Sequence, residues 1–261
     1  MTTASPFPPG TFTPAPGRGR PARMLFVHAR TEALLTLRNS EQILLTLLIP
    51  LALLVGLTLM TMFSIPEPRI DHVTPRIFAL AVMSSAFTGA AIALGFDRRY
   101  GVLKRLAATA LPRWLLVAGR VLAGLVVVLI QLVVLGVVAA ILGWSPDPAG
   151  FAWAVLLVIA GTLTFGALGV LLGGMFKAEV VLALANIVWF VLLFAGGIVF
   201  PADSLPGAMG TVVALLPSAA LAEGMRAALV DGTAPALSVF VVLIGWGLAA
   251  GALATRTTRL T

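Results

Sequence analysis

The sequence contains no cysteine, only two histidines and only two lysines among its 261 residues. The missing cysteines exclude disulfides, thiolate metal sites and a cysteine nucleophile. His28 and His72 lie far apart and outside the apolar runs, which argues against a haem or zinc centre, so we expect no bound metal. Neither Lys104 nor Lys177 follows a glycine, so the Gly-Lys-Ser/Thr end of a phosphate-binding P-loop is absent. The chain therefore cannot hydrolyse ATP by that route, and we expect no catalytic residues.

Charge is also scarce. Charged residues make up only 10% of the chain, against about 25% in soluble domains. Apolar residues make up 60%, and the mean hydropathy is +1.08. One water-soluble core of this size could not bury so much apolar surface, whereas each membrane-spanning helix uses about 20 apolar residues. The composition therefore predicts an all-α polytopic membrane protein.

Six apolar runs predict transmembrane helices. We place them at about residues 43–63, 77–96, 114–142, 151–176, 180–200 and 236–254. With the N-terminus inside the cell, every one of the 17 basic residues except Arg69, Arg76 and Arg226 falls on the inner side. Cytoplasmic loops concentrate Lys and Arg, so we expect both termini to be cytoplasmic. The excess of arginine over lysine, with abundant alanine, valine and glycine, points to a bacterial source and hence to the cytoplasmic membrane.

The net charge of +7 could indicate a nucleic-acid partner. Most arginines lie beside apolar runs, however, so topology and membrane lipids explain them better, and we expect no nucleic acid. Residues 1–23 are rich in Pro, Gly and Thr and predict a disordered cytoplasmic tail, followed by one transmembrane domain over residues 24–261. In residues 24–42, one helical face carries Leu25, Ala29, Ala33 and Leu37. This pattern predicts an amphipathic helix on the membrane surface or a polar lead-in to the first span.

Five basic residues lie in the segment FDRRYGVLKRLAATALPRW, residues 96–114, between the second and third spans. Gly101 can start a turn and Pro112 can close the segment. Between them, apolar and basic side chains fall on different faces of a short helix: Leu103, Leu106 and Leu111 on one, Lys104 and Arg105 toward the other. The segment predicts an amphipathic helix at the inner surface, although a basic loop set by topology alone would have a similar composition.

This segment resembles the coupling loop of ABC transporter permeases of the type-2 exporter class, which export drugs, polysaccharides and lipids. The matching residues are Asp97-Arg98-Arg99, Tyr100, Gly101-Val102-Leu103 and the close Ala108-Thr109-Ala110-Leu111-Pro112, with departures at Arg99 and Val102. The resemblance implies that the loop docks on a separate ATPase subunit, which binds the ATP and Mg²⁺. The residues implied in coupling are Asp97, Arg98, Gly101, Leu103, Lys104, Arg105, Leu106, Leu111 and Pro112.

A second segment, residues 196–229, resembles the outer insertion of the same family. It has Gly196-Gly197, Phe200-Pro201, Leu205-Pro206, Leu216-Pro217 and Gly224-Met225-Arg226 in the family's order. The resemblance implies two short re-entrant helices, and the prolines and glycines divide the segment into two half-length apolar pieces. An amphipathic loop on the outer leaflet is the alternative. The residues implied in the hairpin are Phe200, Pro201, Leu205, Pro206, Pro217, Gly224 and Arg226.

A few polar or large aromatic residues fall inside the predicted spans. The candidates for a substrate pathway or a dimer contact are Ser85, Thr88, Gln131, Asn186 and Trp189. Hydrogen bonds between neighbouring helices would explain the same residues. Gly169–Gly173 and Gly247–Gly251 have the spacing of close helix contacts. No charge lies in the middle of a span, which argues against a proton-driven carrier.

The resemblance implies the permease subunit of an ATP-driven exporter, working with a second copy or a similar permease. Spans without fixed charge favour a hydrophobic or amphipathic cargo, such as a drug, a lipid or a lipid-linked product. Three alternatives stay open: a membrane assembly or scaffold protein, a haem-handling permease and a proton-driven carrier.

Overall fold

The computed structural model describes residues 19–60, 65–108, 112–199 and 205–257, except the side chains of residues 40–45, 106, 107, 113, 116 and 257. Within these ranges the chain is helical and contains no β-strand, which confirms the predicted all-α class. The helices are α1 (Pro21–Arg38), α2 (Ser40–Leu59), α3 (Arg69–Met83), α4 (Ala90–Arg99), α5 (Val102–Ala107), α6 (Arg113–Ile141), α7 (Phe151–Met175), α8 (Ala178–Ala195), α9 (Ala208–Ala214), α10 (Pro217–Leu229) and α11 (Leu237–Thr257).

The N-terminal helix α1 begins within the predicted tail. Residues 1–18 of that tail lie outside the described residues, and α1 starts at Pro21. Proline suits the first turn of a helix because no intrahelical hydrogen bond is required of its nitrogen there. The helix packs along α6 and buries Ala29 and Ala33, with Leu25 and Leu37 half-buried on the same side. The predicted apolar face therefore contacts another helix.

Five helical stretches are long and apolar enough to cross a bilayer: Arg69–Arg99, Val117–Ile141, Pro148–Met175, Ala178–Ala195 and Leu237–Arg256. They correspond to the second to sixth predicted spans. Helices α9 and α10 meet at 82° and together could count as one broken span or a re-entrant loop.

The first predicted span, residues 43–63, overlaps α2 and differs from the other five. The apolar stretch that the structure describes there, Thr46–Leu59, is about 21 Å long at 1.5 Å per residue. A bilayer core is about 30 Å thick. Residues 61–64, at the end of this prediction, lie outside the described residues.

The stretch Arg69–Arg99 forms the centre of the bundle. It consists of α3, a π-helical segment over Ser84–Gly89, and α4, and it starts at Arg69 rather than at the predicted residue 77. Pro75 does not end the helix, and the neighbouring Thr74 hydroxyl bonds the Ile70 carbonyl at 2.8 Å. Helix α3 packs against α2, α6, α7 and α10, and its apolar side chains are almost fully buried.

Glycine allows α7 to approach the central stretch closely, at α4 and at the π-helical segment. A Cβ atom added at Gly173 would lie 2.6 Å from the Ala91 carbonyl oxygen, and one at Gly169 would lie 2.7 Å from that of Phe87. Close packing at this pair is therefore confirmed. At the other predicted pair, a Cβ at Gly247 would meet Thr164, but Gly251 has no atom within 4 Å, so that pair is not a tight contact.

Helix α8 ends at Ala195, before the predicted residue 200. The chain leaves the helix through Gly197, whose φ of +83° is a left-handed conformation suited to glycine. The Ser218 hydroxyl then bonds the Gly196 carbonyl at 2.6 Å, so the turn is fixed against the start of α10. The glycines that the sequence places near this end are where the helix stops.

Large apolar side chains cover the outward faces of α6, α8 and α11. Val133, Ile141, Ile187, Phe190 and Leu248 are among those that are more than half exposed. A soluble monomer rarely exposes a contiguous apolar surface of this extent. These faces therefore suit contact with lipid or with another membrane protein.

Candidate functional site

The predicted coupling segment begins where α4 ends. Tyr100 and Gly101 turn the chain, and α5 follows over Val102–Ala107. Gly101 has a φ of +69°, which glycine adopts without steric penalty. The predicted short helix is therefore present, and it begins directly after the predicted turn.

The far end of this segment is described only in part. The helix α5 ends at Ala107, the side chain of Leu106 is not described, and Leu111 lies outside the described residues. Pro112 directly precedes α6, as expected for a residue that closes the segment. Leu103 is half-buried, whereas Lys104 and Arg105 are exposed.

Arg98 holds the end of α4 against the end of α7. Its guanidinium donates hydrogen bonds to the carbonyl oxygens of Gly173, Gly174 and Phe176 at 2.9, 2.6 and 3.3 Å. Carbonyls in the last turn of a helix lack intrahelical partners and carry the negative end of the helix dipole. A single arginine therefore caps α7 while belonging to the predicted coupling segment.

An ion-pair cluster joins three further elements to the same place. Asp97 at the end of α4 pairs with Arg120 of α6, and Arg120 also approaches Glu32 of α1 at 4.0 Å. Nearby, Arg99 pairs with Glu179 at the start of α8. The pairs are partly exposed, and each exposed pair contributes about 1 kcal/mol or less. Their structural effect is to connect α4 with α1, α6 and α8.

The segment predicted as a hairpin contains α9 and α10, which meet at 82°. Phe200 and Pro201 lie outside the described residues, while Leu205 and Pro206 precede α9, and Pro217 opens α10. Helix α10 is buried among α3, α7 and α11 for most of its length. A loop lying on the surface of the bundle would not be buried in this way.

Close contacts fix both ends of α10. A Cβ at Gly224 would lie 2.9 Å from Val239 of α11, and Arg226 bonds Glu223 at 2.7 Å and Asp231 at 2.8 Å. At the bend between the two helices, the Trp246 indole nitrogen donates to the Leu215 carbonyl at 2.8 Å. Helix α10 is therefore packed into the helical bundle, whereas α9 buries Val213 and leaves Met209 and Val212 exposed.

The π-helical segment gathers most of the predicted pathway residues. Gln131 of α6 donates to the Thr46 hydroxyl of α2 at 3.0 Å and accepts a hydrogen bond from Ser85. The Trp189 indole donates to the Ser84 hydroxyl at 2.7 Å. These bonds connect α2, α6 and α8 to one segment. They fit the alternative of helix-to-helix hydrogen bonding.

Two predicted pathway residues behave differently. The Thr88 hydroxyl is buried without a hydrogen-bond partner among the described residues. Asn186 lies on the exposed side of α8, and its amide bonds only the Leu182 carbonyl of its own helix at 2.8 Å. The structure therefore does not bring Asn186 to the cluster around Gln131.

Sequence reasoning missed several of these partners. Glu32, Arg120 and Glu179 carry the ion pairs of the cluster, yet nothing in their local sequence marks them. The one property of these three residues that the sequence shows is their position near the ends of predicted spans, where opposite charges can meet. Within the described ranges, no group of three or more His, Cys, Asp or Glu side chains could hold a metal ion.

Comparison with known proteins agrees with this architecture. The family model described as "ABC-2 type transporter" matches residues 24–230. The Bacillus subtilis (strain 168) protein named "Putative transport permease YvfS" is 26% identical over 213 residues, which cover 80% of this chain and 86% of that protein. The matched region contains the predicted coupling segment and the whole segment 196–229. Permeases of this family normally work with an ABC ATPase subunit. The chain belongs to the ABC-2 type transporter family and is a multi-pass membrane permease of an ABC transporter.

Proposed function

We propose that this chain is the permease subunit of an ATP-driven exporter in the bacterial cytoplasmic membrane. Two copies, or one copy and a similar permease, form the pathway, and two separate ATPase subunits bind ATP and Mg²⁺. Both termini are cytoplasmic. The ATPase docks on the coupling segment between Asp97 and Pro112, and the pathway opens outward when the ATPase subunits close.

The contacts of α4 support this coupling. A force applied at α5 reaches α7 through the Arg98 bonds to three carbonyls, and α6 and α1 through Asp97 and Arg120. Rigid helices joined by such contacts move together. This linkage of one surface turn to α7, α6 and α1 is the observation that carries the proposal.

The N-terminal helix fits a location at the inner membrane surface. One side of α1 packs on α6 through Ala29 and Ala33, while Phe26 and Leu35 are 65% and 62% exposed. Exposed apolar side chains on a helix at the base of a bundle suit the boundary between headgroups and acyl chains. The membrane surface would therefore cover the side of α1 that the bundle leaves open.

The outer face of α8 suits a second copy of the permease. It exposes Ile187, Phe190, Val191 and Phe194 together with the amide of Asn186. A polar side chain that faces hydrocarbon lacks partners, so such residues in spans usually face other protein or a water-filled cavity. A dimer contact or a pathway between two copies supplies that environment.

The proposed class of cargo follows from the side chains that the spans present. The predicted spans carry no charge at their centres, and the apolar faces of α8 offer aromatic side chains rather than fixed charges. A hydrophobic or amphipathic molecule, such as a drug, a lipid or a lipid-linked product, suits such a surface. The re-entrant hairpin of α9 and α10 would then shape the outer exit.

Co-purification and vesicle transport test the proposal together. Arg105 is exposed on α5, so Arg105→Glu should reduce recovery of the ATPase subunit with the permease. Arg256→Glu, at an exposed position near the end of α11, is the charge-matched control and should leave recovery unchanged. ATP should drive lipophilic fluorophores into inside-out vesicles, which corresponds to export from the cell.

Two results would overturn the proposal. One is the absence of any co-purifying nucleotide-binding subunit; the other is transport that continues after ATP is depleted. The second result would return a proton-driven carrier to consideration.

A further inference from the structure

A basic pocket opens between the end of α4, the start of α5 and the turn between α7 and α8. Its volume is about 460 Å³, within the range of roughly 300–1,000 Å³ that is usual for ligand pockets. Four cations line it, Arg98, Arg99, Lys104 and Lys177, against one carboxylate, Glu179. The pocket therefore favours an anion.

The four cations are not equally available. Arg98 donates to helix-end carbonyls, and Arg99 pairs with Glu179. Lys104 and Lys177 are exposed, and within the described residues neither ammonium group has a hydrogen bond or an ion pair. The two lysines, which are the only lysines of the chain, are the groups free to bind an incoming anion.

The N-terminus of α8 lies beside Lys177 and adds to the attraction of this site for an anion. Lys177 directly precedes α8, an 18-residue helix whose N-terminal amides open toward this turn. Unpaired amides at a helix N-terminus and the positive end of the helix dipole both favour an anion. The phosphate groups of membrane lipids are anions that a site at the end of a span can meet.

The rim of the pocket distinguishes a lipid from a free ion. Met175 and Phe176 line it and are 47% and 40% exposed, at the end of a membrane-spanning stretch. A free phosphate would gain nothing from these side chains, whereas a lipid could place its glycerol and upper acyl chain against them. Basic pockets between span ends are suited to anionic headgroups.

We propose that the basic pocket binds the phosphate group of an anionic phospholipid, with Lys104 and Lys177 as its ligands. Met175 and Phe176 contact the same lipid below its headgroup. The assignment does not depend on the transport direction or the cargo proposed above. It adds a lipid site beside the coupling segment, so lipid binding and ATPase docking would meet at Lys104.

Native mass spectrometry of the purified full chain tests the site. Phosphatidylglycerol is titrated against phosphatidylcholine and, separately, against inorganic phosphate. Each lysine near an anionic surface contributes a factor of about five in affinity, so Lys104→Gln with Lys177→Gln should weaken phosphatidylglycerol binding by about 25-fold. Arg38→Gln with Arg256→Gln removes two exposed charges elsewhere and should leave that affinity within about twofold.

The outcomes separate the possible occupants. Selective loss of phosphatidylglycerol in the lysine variant, with phosphatidylcholine unaffected, supports the proposal. Three results overturn it: equal binding of both lipids, competition by inorganic phosphate at the lipid's own concentration, or lipid binding that the lysine variant loses no more than the control variant does. In the last case, loss of ATPase co-purification by the lysine variant would assign the lysines to an acidic surface of the ATPase instead. Because lipid binding is measured on the chain alone, its failure leaves the proposed export function standing.

Discussion

Replacing Gly173 with alanine should force α7 away from α4. The added methyl carbon would lie 2.6 Å from the Ala91 carbonyl oxygen and 3.0 Å from the Leu94 Cβ. Both neighbours belong to α4, and the nearest is backbone, so no side-chain rotation can relieve the contact. Ordinary contacts begin near 3.4 Å, and the helices must therefore separate by roughly 0.8 Å.

The separation has a second consequence at Arg98. Its bond to the Gly173 carbonyl is 2.9 Å long and runs between the same two helices. A shift of roughly 0.8 Å would lengthen that bond beyond the usual limit of about 3.2 Å. Overpacking costs about 1–3 kcal/mol and a lost charged hydrogen bond about 1.5–3, while alanine returns about 1 kcal/mol of helix propensity. We expect a net loss of about 1.5–5 kcal/mol.

The same helix provides two reference substitutions. Gly166 has no atom within 4 Å of an added Cβ, so Gly166→Ala should be neutral or stabilising by up to about 1 kcal/mol. Gly169→Ala meets the Phe87 carbonyl at 2.7 Å and should cost about 0–2 kcal/mol, because helix propensity offsets part of the overpacking and no Arg98 bond is lost. Denaturant unfolding of the purified protein in detergent ranks the three variants. A Gly173→Ala protein as stable as Gly166→Ala would refute the close packing of α7 on α4.

Three further substitutions address other contacts, each measured by the same unfolding assay. Arg98→Gln should lose about 2 kcal/mol of stability because three carbonyls lose a charged donor. Arg98→Lys keeps the charge and should lose less. An equal loss in both variants would contradict the capping role of Arg98. Gln131→Leu should lose about 1 kcal/mol, since its bonds to Ser85 and Thr46 contribute about 0.6 kcal/mol each. Unchanged stability would show that these two hydrogen bonds do not stabilise the fold. Trp246→Phe should lose about 1 kcal/mol and raise hydrogen exchange in α9; unaltered exchange would argue against the indole bond at the bend.

The sequence predicted most spans because apolar runs of sufficient length are a direct physical requirement of the bilayer. The third and fourth predicted spans agree closely with α6 and α7. The second was placed too late because the polar residues between Arg69 and Arg76, with Pro75, suggested a loop. That stretch is nevertheless helical, and Thr74 and Pro75 are buried by its neighbours. Tertiary packing overrode the local signal there.

The local backbone of the predicted coupling segment was predictable, but its contacts were not. Gly101 and Pro112 mark the turn before α5 and the start of α6 because glycine and proline act through local backbone geometry. The partners of Arg98 could not be predicted, since they are carbonyls some 75 residues further along the chain. Asn186 was grouped with Gln131 because both are polar residues in spans, yet only the helix orientations decide that one faces outward.

The π-helical segment Ser84–Gly89 determines how far α4 is rotated about the helix axis relative to α3. A π turn accommodates one more residue than an α turn, and each residue of an α-helix rotates the chain by about 100°. Without that extra residue, everything after Gly89 would be turned by about 100°. Asp97 and Arg98 would then point away from Arg120 and from the end of α7. The contacts of Asp97 and Arg98 therefore depend on a rotation of the helix that is set about three helical turns earlier in the chain.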